Sequence, residues 1–318
     1  MNCLIYDEMH HTLPTMLAEA GITSDFYPHI TRDEMKSVIS QYQGIIGRSK
    51  TRLDAEMLNL ATGLAFIGRG GAGLDDIDLA LCKERNIAVI NAPEGNRDAV
   101  GEHALGMLLS VMNRLHIAWS QMREGSWQRQ ANRGTELGGK TVGIIGYGNM
   151  GRAFARKLGG FNVRVLAYDK YLSQLPDSYA TFSDMETLFN EADVISLHVP
   201  LTDETRGMVN IAWLSRFKRR PVLVNTARGQ ATISADILSA LETGLLSGAA
   251  LDVLENEKPS SYTPAEQEIF NRLSARPDVL LTPHIAGWTQ ESYLRINEVL
   301  VRKIRLFLEE KSEQQPAY

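Results

Sequence analysis

Thr141-Val142-Gly143-Ile144-Ile145-Gly146-Tyr147-Gly148-Asn149-Met150-Gly151 is the stretch that decides the fold. An apolar run of strand length ends in three glycines at G-x-G-x-x-G spacing, and a helical pattern over residues 152–158 follows at once. A second apolar run, residues 163–168, stops at Asp169, 23 positions past Gly146. Glycine loops are common, so the spacing alone carries little. Strand before, helix after and an acid at that distance together predict a dinucleotide site. Gly146 permits the tight turn, Gly148 lets a pyrophosphate approach the backbone, and Gly151 lets helix and strand pack closely. Free amides and the positive end of the helix dipole favour the pyrophosphate. Asp169 can accept hydrogen bonds from ribose hydroxyls and would repel a 2′-phosphate, which favours NAD over NADP. Lys170 beside it weakens that preference slightly.

Working outward, short apolar runs alternate with helical patterns almost from end to end. Upstream they are residues 3–6, 44–46, 65–67 and 88–90; downstream they are 194–199, 222–224, 249–253 and 279–281. Several are continuous rather than alternating, as parallel strands covered on both faces should be. Thr31-Arg32-Asp33-Glu34 has capping-box spacing, and Asp54 stands as an N-cap before residues 55–61. The predicted class is α/β, with right-handed crossovers. One long helix is expected over residues 100–122, with Ala104, Leu105, Leu108, Leu109, Met112 and Leu115 on its apolar face. A polar stretch, residues 123–139, then separates two α/β series. The last helix, residues 290–310, needs an apolar partner for Leu294, Val299, Leu300, Ile304 and Leu308. Nothing in its own pattern says which half receives it.

The chain has 318 residues, which at about 150 per domain suggests two domains. With 33 Lys plus Arg against 38 Asp plus Glu, its charge of −5 argues against a general nucleic-acid or membrane-surface binder. The basic run Arg216, Lys218, Arg219, Arg220 is the local exception, and a solvated helix end is the favoured reading of it. Cys3 and Cys82 are isolated, which fits a reducing compartment. No basic leader and no run of about 18 apolar residues is present, so a cytoplasmic location is expected.

Three segments follow apolar runs with polar groups, where ligands bind in such sheets. They are Asn225-Thr226-Ala227-Arg228-Gly229, Leu251-Asp252-Val253-Leu254-Glu255-Asn256-Glu257 and Thr282-Pro283-His284-Ile285-Ala286-Gly287. An arginine, a carboxylate and a histidine would serve hydride transfer to a carbonyl. Arginine binds a substrate carboxylate and polarises the carbonyl, histidine exchanges the proton, and the carboxylate keeps the imidazolium available near neutral pH.

This order of motifs resembles the D-isomer-specific 2-hydroxyacid dehydrogenases over nearly the whole chain. Ile45-Ile46-Gly47-Arg48-Ser49, Gly68-Arg69-Gly70-Gly71-Ala72-Gly73-Leu74-Asp75, and Asn91-Ala92-Pro93 leading to Gly101-Glu102-His103-Ala104 agree with it. Within the family the pattern is most similar to the short form of phosphoglycerate dehydrogenase, and no C-terminal regulatory domain is expected after Gly287. The resemblance implies that Arg228 binds carboxylate and carbonyl, that His284 is the acid/base and that Glu257 orients it. Gly70 and Gly71 would offer amides to the carboxylate, and Arg48 would contact the substrate's distal end. Asn149 and Met150 would lie at the pyrophosphate, Asp169 at the ribose and Thr205 in the following loop. Thr226, Asp252, Ala286 and Gly287 would lie near the nicotinamide. It further implies a Rossmann NAD-binding domain, residues 96–289, inserted into a flavodoxin-like substrate domain, residues 1–95 and 290–318, and a homodimer. The implied reaction is NAD-dependent oxidation of a D-2-hydroxyacid by hydride transfer, 3-phosphoglycerate to 3-phosphohydroxypyruvate on the way to serine. A hydroxypyruvate or glyoxylate reductase, or an NADH-sensing regulator on the same fold, are the alternatives.

The chain departs from that pattern in places. Lys258 interrupts the usual Glu-Pro pair, and 27 positions separate Glu257 from His284, so Glu255 is a rival for the carboxylate role. Trp288 stands where the family often has a small residue, either narrowing the pocket or covering a partner subunit. Arg69, Arg97, Arg129 and Arg133 compete with Arg48 for a substrate phosphate. His198 reads as structural, and His103 as packing or pairing. His10 and His11 lack a third ligand for zinc, so no metal is expected.

Overall fold

Parallel strands build two separate sheets in the computed structural model, which describes residues 1–313. The chain divides into two compact units, Met1–Arg97 with the segment from Trp288 onward, and Asp98–Gly287. In the first, β1 (Asn2–Ile5), β2 (Thr23–Phe26), β3 (Gly44–Gly47), β4 (Phe66–Arg69) and β5 (Ala88–Asn91) lie in the order β2-β1-β3-β4-β5. That is the flavodoxin-like order. In the second, the strands are β6 (Thr141–Ile145), β7 (Arg164–Tyr168), β8 (Thr181–Phe182), β9 (Val194–Leu197), β10 (Val222–Asn225), β11 (Gly248–Leu251) and β12 (Val279–Leu281). Their order, β8-β7-β6-β9-β10-β11-β12, is the Rossmann order extended by one strand.

Two-sided burial explains the continuous apolar runs. Val224 and Ala250, paired to Ser196 and Leu280, enter one core layer, whereas Leu223 and Ala249 enter the opposite one. Alternate side chains point to opposite faces, so a strand covered on both sides must be apolar throughout. β2 and β8 carried no such signal and were not foreseen. Both are edge strands, and Thr181 and Phe182 are exposed, so polar residues are tolerated there.

The two foreseen caps form: Thr31 and Glu34 make a reciprocal capping box, and the Asp54 side chain accepts from the Met57 amide. The helix Gln290–Glu313 lays Ile296, Val299, Leu300 and Ile304 against Cys3, Ile5, Ile46 and Phe66. Its partner is therefore the sheet of the first unit.

The long helix expected over residues 100–122 is corrected to two, Pro93–Met112 and Leu115–Arg123. Proline suits a first helical turn, where its missing N–H costs nothing, so the helix starts before the apolar periodicity becomes visible. Arg114 takes a left-handed conformation, φ +56°, and ends it. Thr135 donates its amide to the Met112 carbonyl at 2.8 Å, and Gly134 packs on Asn113, so the returning chain satisfies the freed helix end.

Candidate active site

The glycine turn has the geometry its sequence requires. Gly146 has φ +91°, and a Cβ on Gly151 would lie 2.1 Å from the Gly146 carbonyl oxygen. Gly148 is exposed with open space where a Cβ would be, and Asn149 and Met150 begin the helix Asn149–Lys157. Asp169, at the end of β7, accepts from the Tyr147 amide at 2.8 Å and the Tyr171 amide at 2.9 Å, which ties the acid to the glycine turn. Lys170 pairs with Glu204, Nζ to Oε1 2.6 Å, so its charge is compensated locally. Tyr147 also donates its hydroxyl to Asp177 at 2.7 Å, and Arg152 donates to the same carboxylate. Asp177 was not foreseen, because the loop that carries it has no periodicity.

Sheet order brings the three polar segments together, since β10, β11 and β12 are neighbours and all run the same way. Arg228 follows β10. The fully buried Asn225 side chain clamps that turn, accepting from the Ala227 amide at 3.0 Å and donating to the Arg228 carbonyl at 3.0 Å. The Asn-Thr-Ala-Arg-Gly segment gives no sign of this clamp, which depends on how the turn folds back on the Asn225 side chain. Beside it, Thr226 Oγ1 is buried without a partner.

Asp252 follows β11 and is 1% exposed. It accepts from Thr282 Oγ1 at 2.5 Å and from the Ile285 and Ala286 amides at 2.9 and 2.8 Å. His103 Nε2 lies 3.5 Å from it and 3.1 Å from Thr282 Oγ1, so this histidine pairs, as its sequence context suggested. Burial alone would raise the Asp252 pKa, but hydrogen bonds from His103, Thr282, Ala286 and Ile285 outweigh it and hold the carboxyl below its ordinary value. The anchored turn runs through Ala286, which is buried, to Gly287.

His284 sits on that turn at φ +55°, a conformation that strains a residue with a side chain. Its amide donates to the Asp252 carbonyl at 2.8 Å, and Nδ1 lies 2.8 Å from Glu257 Oε2. Glu255, the rival carboxylate, instead accepts from the Ser234 amide. The Glu257 hydrogen bond lifts the His284 pKa above its ordinary value against the opposing effect of burial, with Arg228 pulling it down. Glu257→Gln should therefore move the imidazole's NMR titration midpoint to lower pH. An unchanged midpoint would mean that the pair does not persist in solution.

The remaining candidates lie as follows. Thr205 Oγ1 donates to the Pro200 carbonyl at 2.7 Å and caps its own turn. In the first unit, Gly70 packs where a Cβ would meet Met9 and Arg48, and Gly71 has φ +151° with open space around it. Arg48 lies beneath Trp288, 4.1 Å from the ring centroid. His198 is fully enclosed with Nε2 on Ser196 Oγ at 2.8 Å, and burial drives its pKa down to about 3. Within the basic run, Arg216 pairs with Glu186 and Arg219 with Asp193. No group of three metal-ligating side chains occurs among the described residues.

The residues present fit a dinucleotide: the open Gly148 face, the helix N-terminus, Asp169 fixed beside the turn and the orphaned Thr226 hydroxyl at a strand end. Fold and site define a nicotinamide-dependent oxidoreductase with a Rossmann unit. Residues 105–286 match the D-isomer specific 2-hydroxyacid dehydrogenase, NAD binding domain family. A hydroxypyruvate reductase of Thermotoga maritima is 36% identical over 90% of this chain and 90% of its own. A D-3-phosphoglycerate dehydrogenase of Archaeoglobus fulgidus is 33% identical over 96% of this chain but 56% of its own, so the chain spans about half that relative's length. The crystal structure of D-lactate dehydrogenase from Aquifex aeolicus, complexed with NAD and lactic acid, superposes with a TM-score of 0.82 at 26% identity over 100% of both chains. The chain belongs to the D-isomer specific 2-hydroxyacid dehydrogenase family. It is an NAD-dependent oxidoreductase acting on a CH–OH group. Among the described residues no helix is long and apolar enough to cross a membrane.

Proposed function

We propose that the chain interconverts 3-phosphoglycerate and 3-phosphohydroxypyruvate, the step that opens a route to serine. The observation that carries this substrate is Arg48, whose Nη1 is buried without a hydrogen-bond partner. A buried guanidinium edge of this kind suits a distal anionic group, and a phosphate can meet it with two parallel hydrogen bonds. Gly70 and Gly71 would present amides to the substrate carboxylate.

His284 would take the C2 hydroxyl proton at Nε2 in the oxidative direction, with Glu257 fixing Nδ1–H and stabilising the imidazolium that forms. Arg228 would hold the carboxylate and the developing carbonyl oxygen in one orientation. Bound NAD supplies the hydride acceptor. In the reductive direction the imidazolium is the required form, and the raised His284 pKa keeps it populated towards neutral pH. Asp252 would act through the turn it anchors, keeping Ala286 and Gly287 in place beside the nicotinamide end. Asn149, Met150 and Thr205 would line the cofactor's path, with Asp169 and Thr226 at its two ends.

Hydroxypyruvate reduction is the second reading, favoured by the Thermotoga maritima relative that matches over 90% of its own length. NADH oxidation with 3-phosphohydroxypyruvate, hydroxypyruvate and glyoxylate separates the two. A kcat/KM at least about tenfold higher for the phosphorylated acid, worth about 1.4 kcal/mol, is the expected result. Equal or better turnover of hydroxypyruvate would make the second reading the correct one.

The homodimer that the family resemblance implies would use the helix Leu115–Arg123. Leu115, Trp119 and Met122 are exposed there at helical spacing, and Trp127 follows at 77% exposure. A cytoplasmic setting is consistent with Cys3 and Cys82 as free, buried thiols.

A further inference from the structure

Arg48 leaves the end of β3 in a turn tied to a buried carboxylate: its amide donates to Asp7 Oδ2 at 2.9 Å, and that of Lys50 does so at 3.1 Å. Its stem runs past Gly70, where an added Cβ would lie 3.2 Å from Cγ. The guanidinium carbon then sits 4.1 Å from the Trp288 ring centroid and 5.3 Å from that of Tyr293. The two rings are 5.4 Å apart, and the Tyr293 hydroxyl donates to the Glu8 carbonyl at 2.6 Å, which fixes the second ring. Trp288 is 57% exposed, so apolar burial alone does not explain a tryptophan at this position.

Aromatic faces hold a cation differently from a carboxylate. A carboxylate takes up the N–H groups and cancels the charge, whereas a ring quadrupole attracts the cation and leaves the edge donors free. The Tyr293 hydroxyl also engages the Arg48 side chain, and the buried, unpartnered Nη1 is the donor left over. We propose that Trp288, with Tyr293, is a positioning residue that clamps the Arg48 guanidinium so that its free edge meets a phosphate on the substrate. This rests on the reading of Arg48 given above and adds a determinant of specificity to it. Lysine could not take the place of Arg48, having neither the planar face nor the paired donors.

The test uses steady-state reduction of 3-phosphohydroxypyruvate, and of glyoxylate, which has no distal group. Trp288→Leu keeps bulk but loses the ring, whereas Trp288→Phe keeps a ring. We expect Leu to raise KM for 3-phosphohydroxypyruvate about tenfold, or about 1.4 kcal/mol, with kcat within about threefold of the parent. Phe should restore KM to within about threefold, and glyoxylate kinetics should move far less than those of the phosphorylated acid. A Leu variant with unchanged KM, Leu and Phe variants that behave alike, or equal losses on glyoxylate would each overturn the clamp. Arg48→Gln distinguishes the levels. If it raises KM for 3-phosphohydroxypyruvate while Trp288→Leu does not, Arg48 stands and the clamp falls. If Arg48→Gln leaves that KM unchanged, or the parent enzyme does not turn over the phosphorylated acid, the underlying reading fails and the clamp with it.

Discussion

His284→Ala should lower kcat by about 10² to 10⁴ while NADH still binds, the range that a positioned acid/base contributes. At 1.36 kcal/mol per tenfold, this corresponds to about 3 to 5 kcal/mol of transition-state stabilisation. The expectation rests on two features of the turn after β12. The backbone is held at φ +55° by the Asp252 carbonyl and carboxylate, and the ring is held through Nδ1 by Glu257. Nε2 is the atom left to meet a substrate oxygen. Alanine removes that atom without touching the glycine turn after β6, so fluorescence titration with NADH should give a dissociation constant within a few-fold of the parent. Turnover within about threefold of the parent would remove His284 from the chemistry. Lost NADH affinity with intact turnover would instead place it at the cofactor.

Arg228→Gln is expected to reduce kcat/KM by about 10² to 10³, as removal of one preorganised donor to a developing oxyanion typically does. Arg228 Nη1 itself donates to the Ala227 carbonyl at 2.7 Å, and the substitution removes that bond; the Asn225 clamp, through the Ala227 amide and the Arg228 carbonyl, remains and should keep the turn folded. Glutamine keeps a hydrogen-bond donor but loses the charge and the fork that meets a carboxylate by two parallel bonds. Because Arg228 also depresses the His284 pKa, its removal should let the imidazole titrate at higher pH. The alkaline fall in reductive activity, where the protonated ring is needed, should shift upwards accordingly. Unchanged kcat/KM with the parent pH profile would show that Arg228 only supports the loop.

Much of the second unit was legible because its signals are local. The G-x-G-x-x-G turn works through φ at Gly146 and the contact of Gly151 with the Gly146 carbonyl, both set within six residues. The apolar runs of β6, β9, β10 and β11 mark two-sided burial directly. β2 and β8 were hidden because an edge strand half in solvent needs no apolar code. The break at Arg114 was hidden because Thr135 and Gly134, some twenty residues further on, complete it.

By itself the sequence determined the class of fold, the dinucleotide turn and the supply of an arginine, carboxylates and a histidine at strand ends, since each depends on neighbours a few residues apart. Only the tertiary structure decided between competing side chains. Glu257 reaches His284 while Glu255 turns to Ser234, because the path of the chain after β11 and not its composition sets which carboxylate meets the ring. His103 joins Asp252 across 149 residues of chain and Thr282 across 179, and Trp288 covers Arg48 across 240. Spacing carries no record of contacts at that range; the packing of helices on parallel sheets creates them.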